Sequence, residues 1–371
     1  MANLNEYKCP LCGGALEFNS GTQKLFCPYC DSSFDPDSFS NSDSVLNEPG
    51  PDSSQVAEET IDQNNSGFKQ DVNNTWADGE TDGLYSYVCK SCGGEILGDS
   101  TLASTNCPYC GNPVVIMGAF KGDLKPDYVI PFKYDKKQAV AALEKHTQGK
   151  RFLPKFFRDE NKLGEIKGIY IPFWIFDTDT TGVYSYQGTK EEEWRDRDFK
   201  YKKTKYYKVF RGGNVNFRRI PIGCSEKANQ AIMESLEPFN MSEAVDFKTA
   251  YLAGYLADKF NINTDVSWER ARERVENSSA EYFRNTVIGY KTVSQISGKV
   301  SFLKKAAKYA LFPVWMLSTT YKGEKYTFAM NGQSGKFVGN LPMDRKKFWL
   351  WLIGLTIGIG AAVLLVSVLF I

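Results

Sequence analysis

The sequence of 371 residues contains a single histidine, His146, and this scarcity limits the chemistry it can support. One histidine cannot supply both imidazoles of an HExxH metalloprotease, and it leaves one candidate base for a Ser-His-Asp or Cys-His site. The chain also lacks GxxxxGK[ST], the phosphate-binding loop of many nucleotide hydrolases. Its 45 basic and 44 acidic side chains leave a net charge of +1, which disfavours a protein that coats nucleic acid with a basic surface throughout.

Catalytic constellations are equally sparse. No paired carboxylates, no nucleophile with its base and no open metal site stand out, so we predict that the chain is not an enzyme. His146 precedes Gly149 and is interpreted as a residue at a helix end. Asp177 and Asp179 are interpreted as turn residues.

Eight of the nine cysteines form two sets with the same spacing, C-x2-C-x14-C-x2-C, and the second set lies 80 residues after the first. A C-x2-C pair can direct both sulfurs at one tetrahedral ion at about 2.3 Å, and four thiolates leave no open coordination position. We therefore predict two structural Zn²⁺ ions as cofactors, one in each of two zinc ribbons. The predicted ligands are Cys9, Cys12, Cys27 and Cys30 in the first set, and Cys89, Cys92, Cys107 and Cys110 in the second.

The residue after each second cysteine is expected at positive φ, which suits Gly93 and Gly111 and is tolerated by Asp31. A disulfide framework is the alternative, and the polar residues 1–6 disfavour it because they do not form a signal peptide. A thioredoxin-like redox pair is disfavoured by the matched pairs, which lack a βαβ context. The ninth cysteine, Cys224, is predicted to be a small buried apolar residue.

Composition divides the chain into five parts and predicts a multidomain α+β protein. Residues 35–83 contain twelve acidic residues and one basic residue, and their net charge of −11 with low hydrophobicity predicts disorder. The predicted parts are zinc ribbon 1 (1–34), a disordered acidic linker (35–83), zinc ribbon 2 (84–118), an α+β body (119–343), and a basic flank with a transmembrane helix (344–371).

Within the body, the apolar segments 168–176 and 309–317 resemble each other, and each is followed by a predicted turn, at 177–182 and 322–324. We interpret them as duplicated strand-turn-strand units that form two small packed sheets, and coincidence among aromatic-rich strands is an equal alternative. The proline in each run suggests an edge position or a strand start. A tight turn is predicted at 331–335, and helices are predicted at 135–147, 242–260 and 265–287.

Residues 348–371 carry no charge, and 24 residues at about 1.5 Å each span the hydrocarbon core of a bilayer. The basic residues 345–347 come directly before them, which predicts a single-pass protein of the cell membrane with its N-terminal region in the cytoplasm. Small residues four apart favour a helix-helix contact, through a homo-oligomer or a different partner, over ordinary glycine usage. These residues are Gly354, Gly358 and Ala362.

Residues 190–219 combine eleven basic and five acidic side chains with interleaved aromatic rings. We favour a solvated β-ribbon whose aromatic rings pack on one face while its lysines point outward. The alternative is a surface for the phosphates of nucleic acid or of anionic lipid. The candidate contacts for an anionic surface are Lys200, Lys202, Lys203, Lys205, Lys208 and Arg211.

The paired ribbons, Ile-Pro-Phe-Trp at 171–174, Asn-Gly-Gln-Ser-Gly-Lys at 331–336 and the terminal apolar segment resemble a family of bacterial membrane proteins with transcription-factor-IIB-type zinc ribbons. The resemblance covers the second ribbon to the end of the chain. Members are often labelled as relatives of replication-restart helicases, but this sequence has no nucleotide-binding motif. Some relatives look like membrane anchors for phage-shock-type and SPFH-type proteins, so the resemblance implies a recruiting role.

Two functions follow as expectations. The first is a membrane-anchored, cytoplasm-facing scaffold that recruits protein partners to the membrane in envelope stress. The second is a membrane-tethered nucleic-acid-binding protein without helicase activity. The ribbons disfavour the second, because ribbon 2 contains one basic residue, Lys90, and ribbon 1 contains two, Lys8 and Lys24, whereas phosphate binding needs several charges.

Overall fold

The computed structural model describes residues 9–12, 14–36, 76, 80, 81, 84–99, 106–112, 115–119, 124–158 and 164–369. Over these residues the chain is α+β, with four α-helices and fourteen strands in two sheets. Residues 37–75, which hold most of the predicted linker, lie outside the described residues. Trp76, near the end of that segment, packs edge-on against Phe247 with ring centroids 5.8 Å apart.

The smaller sheet is antiparallel and carries the first cysteine set. Its strands are β1 (Glu17–Asn19), β2 (Lys24–Phe26) and β3 (Ser33–Phe34). We call residues 9–36 the first cysteine module. Its buried Phe18 packs against Tyr251 at 5.1 Å, and the Phe18 N–H donates to the Ala253 carbonyl at 3.2 Å, so the module rests on the body.

The larger sheet has eleven strands and joins the second cysteine set to the body. Its spatial order is β10-β7-β12-β8-β11-β5-β4-β6, with β9 paired to β8, β13 to β12 and β14 to β13. We call residues 84–119 the second cysteine module. The strands are β4 (Leu84–Val88), β5 (Glu95–Asp99), β6 (Val115–Ala119), β7 (Tyr128–Val129), β8 (Lys167–Arg195), β9 (Lys200–Gly223), β10 (Val245–Asp246), β11 (Leu256–Asp258), β12 (Thr292–Tyr321), β13 (Glu324–Asn331) and β14 (Phe337–Gly339).

The two similar apolar segments are neighbouring antiparallel strands of this one sheet. Residues 168–176 of β8 pair with β12 in the register Pro172↔Leu311 and Trp174↔Tyr309. Both faces of the sheet are covered here: Tyr170 and Trp174 enter one hydrophobic core, while Ile171 and Phe173 enter the other. A strand buried on both faces needs apolar residues at every position, which explains the unbroken apolar runs. The expectation of two small packed sheets is wrong.

Three further expectations about these strands are corrected. The predicted turn at 177–182 is absent, since β8 continues through it. Asp177 lies at a β-bulge, where its carboxylate accepts the Arg219 N–H at 2.6 Å, and Asp179 pairs with Arg218. The prolines lie inside central strands, at gaps where the neighbour changes: β11 gives way to β9 beside Pro172. At Pro313, β7 gives way to β13.

The four helices are α1 (Lys136–Thr147), α2 (Gln230–Leu236), α3 (Thr264–Asn285) and α4 (Arg345–Leu369). The predictions at 135–147 and 265–287 are confirmed, and Asp135 caps α1 by accepting the Gln138 N–H. The turns predicted at 322–324 and 331–335 are also confirmed. The helix predicted at 242–260 is wrong, because Gly254 at φ 81° interrupts it and β11 takes its hydrogen bonds from β8 and β5.

Within the body, β8, β9 and β12 extend together as a three-stranded arm, which we define as residues 178–217 and 292–305. The helix α3 packs on one face of the arm, where Phe283 meets Tyr184 at 5.0 Å and the Tyr186 hydroxyl donates to the Ala280 carbonyl at 3.4 Å. On α3, Trp268, Ala271, Val275 and Phe283 are buried, whereas Tyr282 is exposed.

The contact between α3 and the arm depends on glycine in β8. A Cβ at Gly182 would lie 2.6 Å from Phe283 Cε2, whereas a Cβ at its cross-strand partner Gly213 would lie 3.8 Å from Phe283 Cε1. We therefore expect Gly182→Ala to lower the free energy of unfolding by about 1–3 kcal/mol through overpacking, and Gly213→Ala to change it little. Thermal unfolding of both variants checks this, and an equal loss in both would contradict the packing argument.

Candidate metal centres

The structure brings each set of four cysteines together. The four sulfurs of each cluster lie within 4.8 Å of one another. In the first cluster Cys9–Cys30 and Cys12–Cys27 have Sγ–Sγ distances of 3.5 and 3.4 Å; in the second, Cys89–Cys110 and Cys92–Cys107 have 3.4 and 3.6 Å. A tetrahedral ion with metal–sulfur bonds of about 2.3 Å requires sulfurs about 3.8 Å apart, so both clusters have room for one metal ion.

The local backbone explains why the pairs face inward. Three of the pairs close a turn in which the N–H of the residue after the second cysteine donates to the carbonyl of the first: Asp31 to Cys27 at 3.0 Å, Gly93 to Cys89 at 2.7 Å and Gly111 to Cys107 at 2.8 Å. Gly13, which follows the remaining pair, lies outside the described residues. The residue after the pair has positive φ at Asp31 (55°), Gly93 (69°) and Gly111 (76°), as the sequence predicts. Such turns aim N–H groups at the sulfurs and favour their thiolate form.

The two clusters differ in exposure. In the first, Cys9 and Cys27 are buried while Cys12 and Cys30 are exposed. In the second, Cys89 and Cys107 are buried and the other two are half-buried. The Ser32 hydroxyl lies 3.3 Å from Cys30 Sγ, and the Asn112 amide donates to Cys110 Sγ at 3.6 Å, so polar side chains support the outer sulfur of each cluster.

The second cluster is built into the body. Strand β5, between its two cysteine turns, pairs with β11, which pairs with β8. The side chain of Tyr109, between Cys107 and Cys110, is buried and its hydroxyl donates to the carboxylate of Asp258, which is 3% exposed. Burial raises the pKa of Asp258 to about 7, while hydrogen bonds from Ser225 and Tyr109 oppose that shift. Burial, and then the Asp258 charge, raises the pKa of Tyr109.

The equivalent tyrosine of the first cluster has the opposite environment. Tyr29 occupies the same place in Cys27-Pro-Tyr-Cys30 and is 75% exposed, as is Leu11 at 73% in the other turn. The tyrosine of this shared motif is therefore buried in the second module, at Tyr109, and exposed to solvent in the first, at Tyr29. Sequence reasoning missed Asp258 and Ser225, because nothing in the sequence relates them to a cysteine turn more than 100 residues away.

Cys224 stands outside both clusters. It is fully buried, as predicted, and burial raises the pKa of its thiol. His146 lies in the last turn of α1, as predicted, and burial and the nearby Lys150 lower its pKa.

The basic candidates of the arm lie on one strand but do not share one face. Three of them are ion-paired within the arm: Lys200 with Glu193 at 2.9 Å, Lys202 with Glu191 at 3.0 Å, and Lys205 with Glu192. The other three differ in their contacts. Lys208 lies over the Phe210 ring at 5.1 Å, Arg211 donates to Thr286 at the end of α3, and Lys203 is exposed.

The helix α4 is long and apolar enough to cross a membrane, and no part of its apolar window, Arg345–Val366, is buried inside the structure. Its base is fixed to the body, since Phe348 and Trp351 meet Phe152 at 5.5 and 5.7 Å. A Cβ at Gly354 or Gly358 would meet nothing within 4 Å, so the small-residue face that also includes Ala362 is open.

No family model and no solved structure matches the chain. A curated relative is a protein of Bacillus subtilis (strain 168) called YdjG and described as uncharacterized. It is 31% identical over 335 residues, which cover 77% of this chain and 98% of the relative.

Proposed function

Because this chain belongs to the family of the Bacillus subtilis protein YdjG, we propose a function for it from its own geometry: a membrane-anchored scaffold that presents metal-stabilised modules to protein partners. The observation that carries the proposal is the exposed apolar helix α4, attached to a body that also holds two closed four-cysteine clusters. An apolar helix of this length is stable when lipid covers it. The basic residues 345–347 at its base favour a cytoplasmic body.

The metal proposed for both clusters is Zn²⁺. Four thiolates in a tetrahedral arrangement suit zinc, and they leave no open position for a substrate or for water. Modules with strands of two to five residues have little core of their own, so metal binding contributes directly to their folding. This favours a structural role in two zinc ribbons over a catalytic role.

The first cysteine module supports a role in protein contact. Its outer turns place Leu11 and Tyr29 in solvent beside a rigid metal site, and exposed apolar and aromatic side chains of this kind are typical of interaction surfaces. The resemblance to membrane zinc-ribbon proteins makes phage-shock-type and SPFH-type proteins the first partners to test, in envelope stress. A nucleic-acid partner is less well supported, because arm glutamates already pair with three of the candidate lysines.

Membrane attachment is tested first. We expect the full chain to stay in the membrane fraction after carbonate extraction, because removing α4 from lipid would expose its apolar surface to water. A variant that ends at residue 344 should be released, and release of the full chain would refute the anchor.

Scaffolding is tested by crosslinking the full chain in cells, followed by isolation in mild detergent with and without nuclease. We expect a defined set of proteins that resists nuclease and is lost in a Leu11→Ser, Tyr29→Ser variant that still retains both metal ions. Recovery of nucleic acid that is lost when the arm lysines are neutralised would favour the tethered nucleic-acid binder instead.

A further inference from the structure

The arm has two faces, and α3 covers one of them. Side chains alternate between faces along a strand, and Tyr184 and Tyr186 of β8 point toward α3. Val183 and Ser185 therefore point to the opposite side, together with their cross-strand partners on β9 and β12. We call this side the outer face of the arm. It includes Val183, Ser185, Gln187 and Thr189 of β8; Lys200, Lys202, Tyr206, Lys208 and Phe210 of β9; and Lys299 of β12.

The outer face combines exposed rings with positive charge. Val183, Tyr206 and Phe210 are 60%, 67% and 63% exposed, although each is large enough to be buried in a core. Between them stand Ser, Thr and Gln side chains, which can hydrogen-bond to polar groups. This face carries four lysines and two glutamates. Glu193 pairs with Lys200 and Glu191 pairs with Lys202, so these two glutamates do not balance the charges of Lys208 and Lys299.

We propose that the outer face of the arm lies on the anionic lipid surface of the bilayer that α4 enters. Aromatic rings and lysines together are favoured at the interface of a bilayer, where rings reach the headgroup level and ammonium groups meet lipid phosphates. The inference rests on the proposed membrane anchor, because α4 keeps the arm close to lipid. Once α4 is inserted in the bilayer, contact between the arm and lipid is an intramolecular step. A surface with a small net positive charge can then bind the anionic lipid effectively.

The proposed lipid contact also depends on where α4 joins the sheet. The base of α4 lies beside Phe152, and the adjacent Phe156 stacks on Tyr321, where β12 turns into β13. The tip of the arm is at the opposite end of β8, whose 29 residues at about 3.3 Å each reach roughly 95 Å. The arm is therefore long enough to reach along the membrane from the base of α4, and contact of its outer face with lipid requires its long axis to run parallel to the bilayer.

The alternation of lysines along β9 supplies a test with internal controls. The full chain is reconstituted in vesicles of phosphatidylcholine alone or of phosphatidylcholine with phosphatidylglycerol, and lysine acetylation is mapped by mass spectrometry. Lys202 and Lys205 are each ion-paired to a neighbouring glutamate, so they form one matched pair on opposite faces. Lys208 on the outer face and Lys203 on the α3 side form the second pair.

We expect anionic vesicles to lower the acetylation of Lys202 and Lys208 about 5-fold relative to neutral vesicles, with Lys203 and Lys205 unchanged. Replacing Tyr206 and Phe210 by serine should weaken this protection, and the fold should survive because both rings are exposed. Equal reactivity in both vesicles, or equal protection of all four lysines, would overturn the proposal. Release of the chain by carbonate would instead overturn the anchor, so the two failures are distinguishable.

Discussion

Cys107→Ser is expected to remove one of two metal ions per chain and to destabilise the whole body. Tyr87, Cys89, Ile96 and Tyr109 of the second cysteine module share one hydrophobic core with Ile171 and Phe173 of β8. Its strand β5 also continues the main sheet through β11. Loss of the metal should therefore lower the free energy of unfolding by about 4 kcal/mol or more, because the sheet edge and the core open together. Metal analysis and thermal unfolding of the purified full chain measure both effects.

The equivalent substitution in the first cysteine module is the matched control. Cys27 lies 80 residues before Cys107 in the same motif, so Cys27→Ser should also remove one metal ion. The first module also shares a hydrophobic core with the body, through Leu16, Phe18 and Leu25, but its strands form a separate sheet, so no strand pairing joins it to the main sheet over the described residues. We expect a loss of about 1–2 kcal/mol. Equal losses in the two variants would contradict the difference in how the modules join the body.

The cysteine spacing was sufficient to predict both clusters and the positive φ after the pairs, because ligand geometry is local to a turn of four to six residues. The N-terminal ends of α1 and α3 are also predictable from the sequence. The side chains of Asp135 and Asn263 cap them by accepting a backbone N–H three residues later. Features determined within one turn of the chain can be predicted from that turn.

Tertiary contacts decided the rest. Residues 177–182 contain turn-forming Asp and Gly, but their three threonines favour strands and β9 and β12 pair with them on both sides. Residues 242–260 do not form the predicted helix, because β11 within them pairs with β8 on one side and with β5 on the other. Period-two alternation in β9 separates Lys202 from Lys203, but only the position of α3 shows which face is exposed.

Tyr109→Phe is expected to lower the free energy of unfolding by about 2 kcal/mol near pH 8, whereas Tyr29→Phe should have little effect. The substitution removes only a hydroxyl, which donates to the buried Asp258 carboxylate in one module and is exposed in the other. A hydrogen bond to a buried charge contributes more than one to a neutral group. The loss should therefore shrink near pH 5, where Asp258 is protonated. Thermal unfolding at both pH values checks this.

The raised pKa of Asp258 also determines the direction of the pH dependence. The folded value of about 7 lies above the ordinary value of about 4 for aspartate, so folding favours the neutral carboxyl. Asp258 consequently destabilises the fold progressively as pH rises from about 4 to about 7, and fully above that. Acid also protonates the cysteine thiolates, both in the parent protein and in an Asp258→Asn variant. The test therefore compares how steeply the free energy of unfolding changes with pH in the two proteins. Asp258→Asn should remove the Asp258 contribution to the slope, and an unchanged slope would contradict a raised pKa of Asp258 in the folded state.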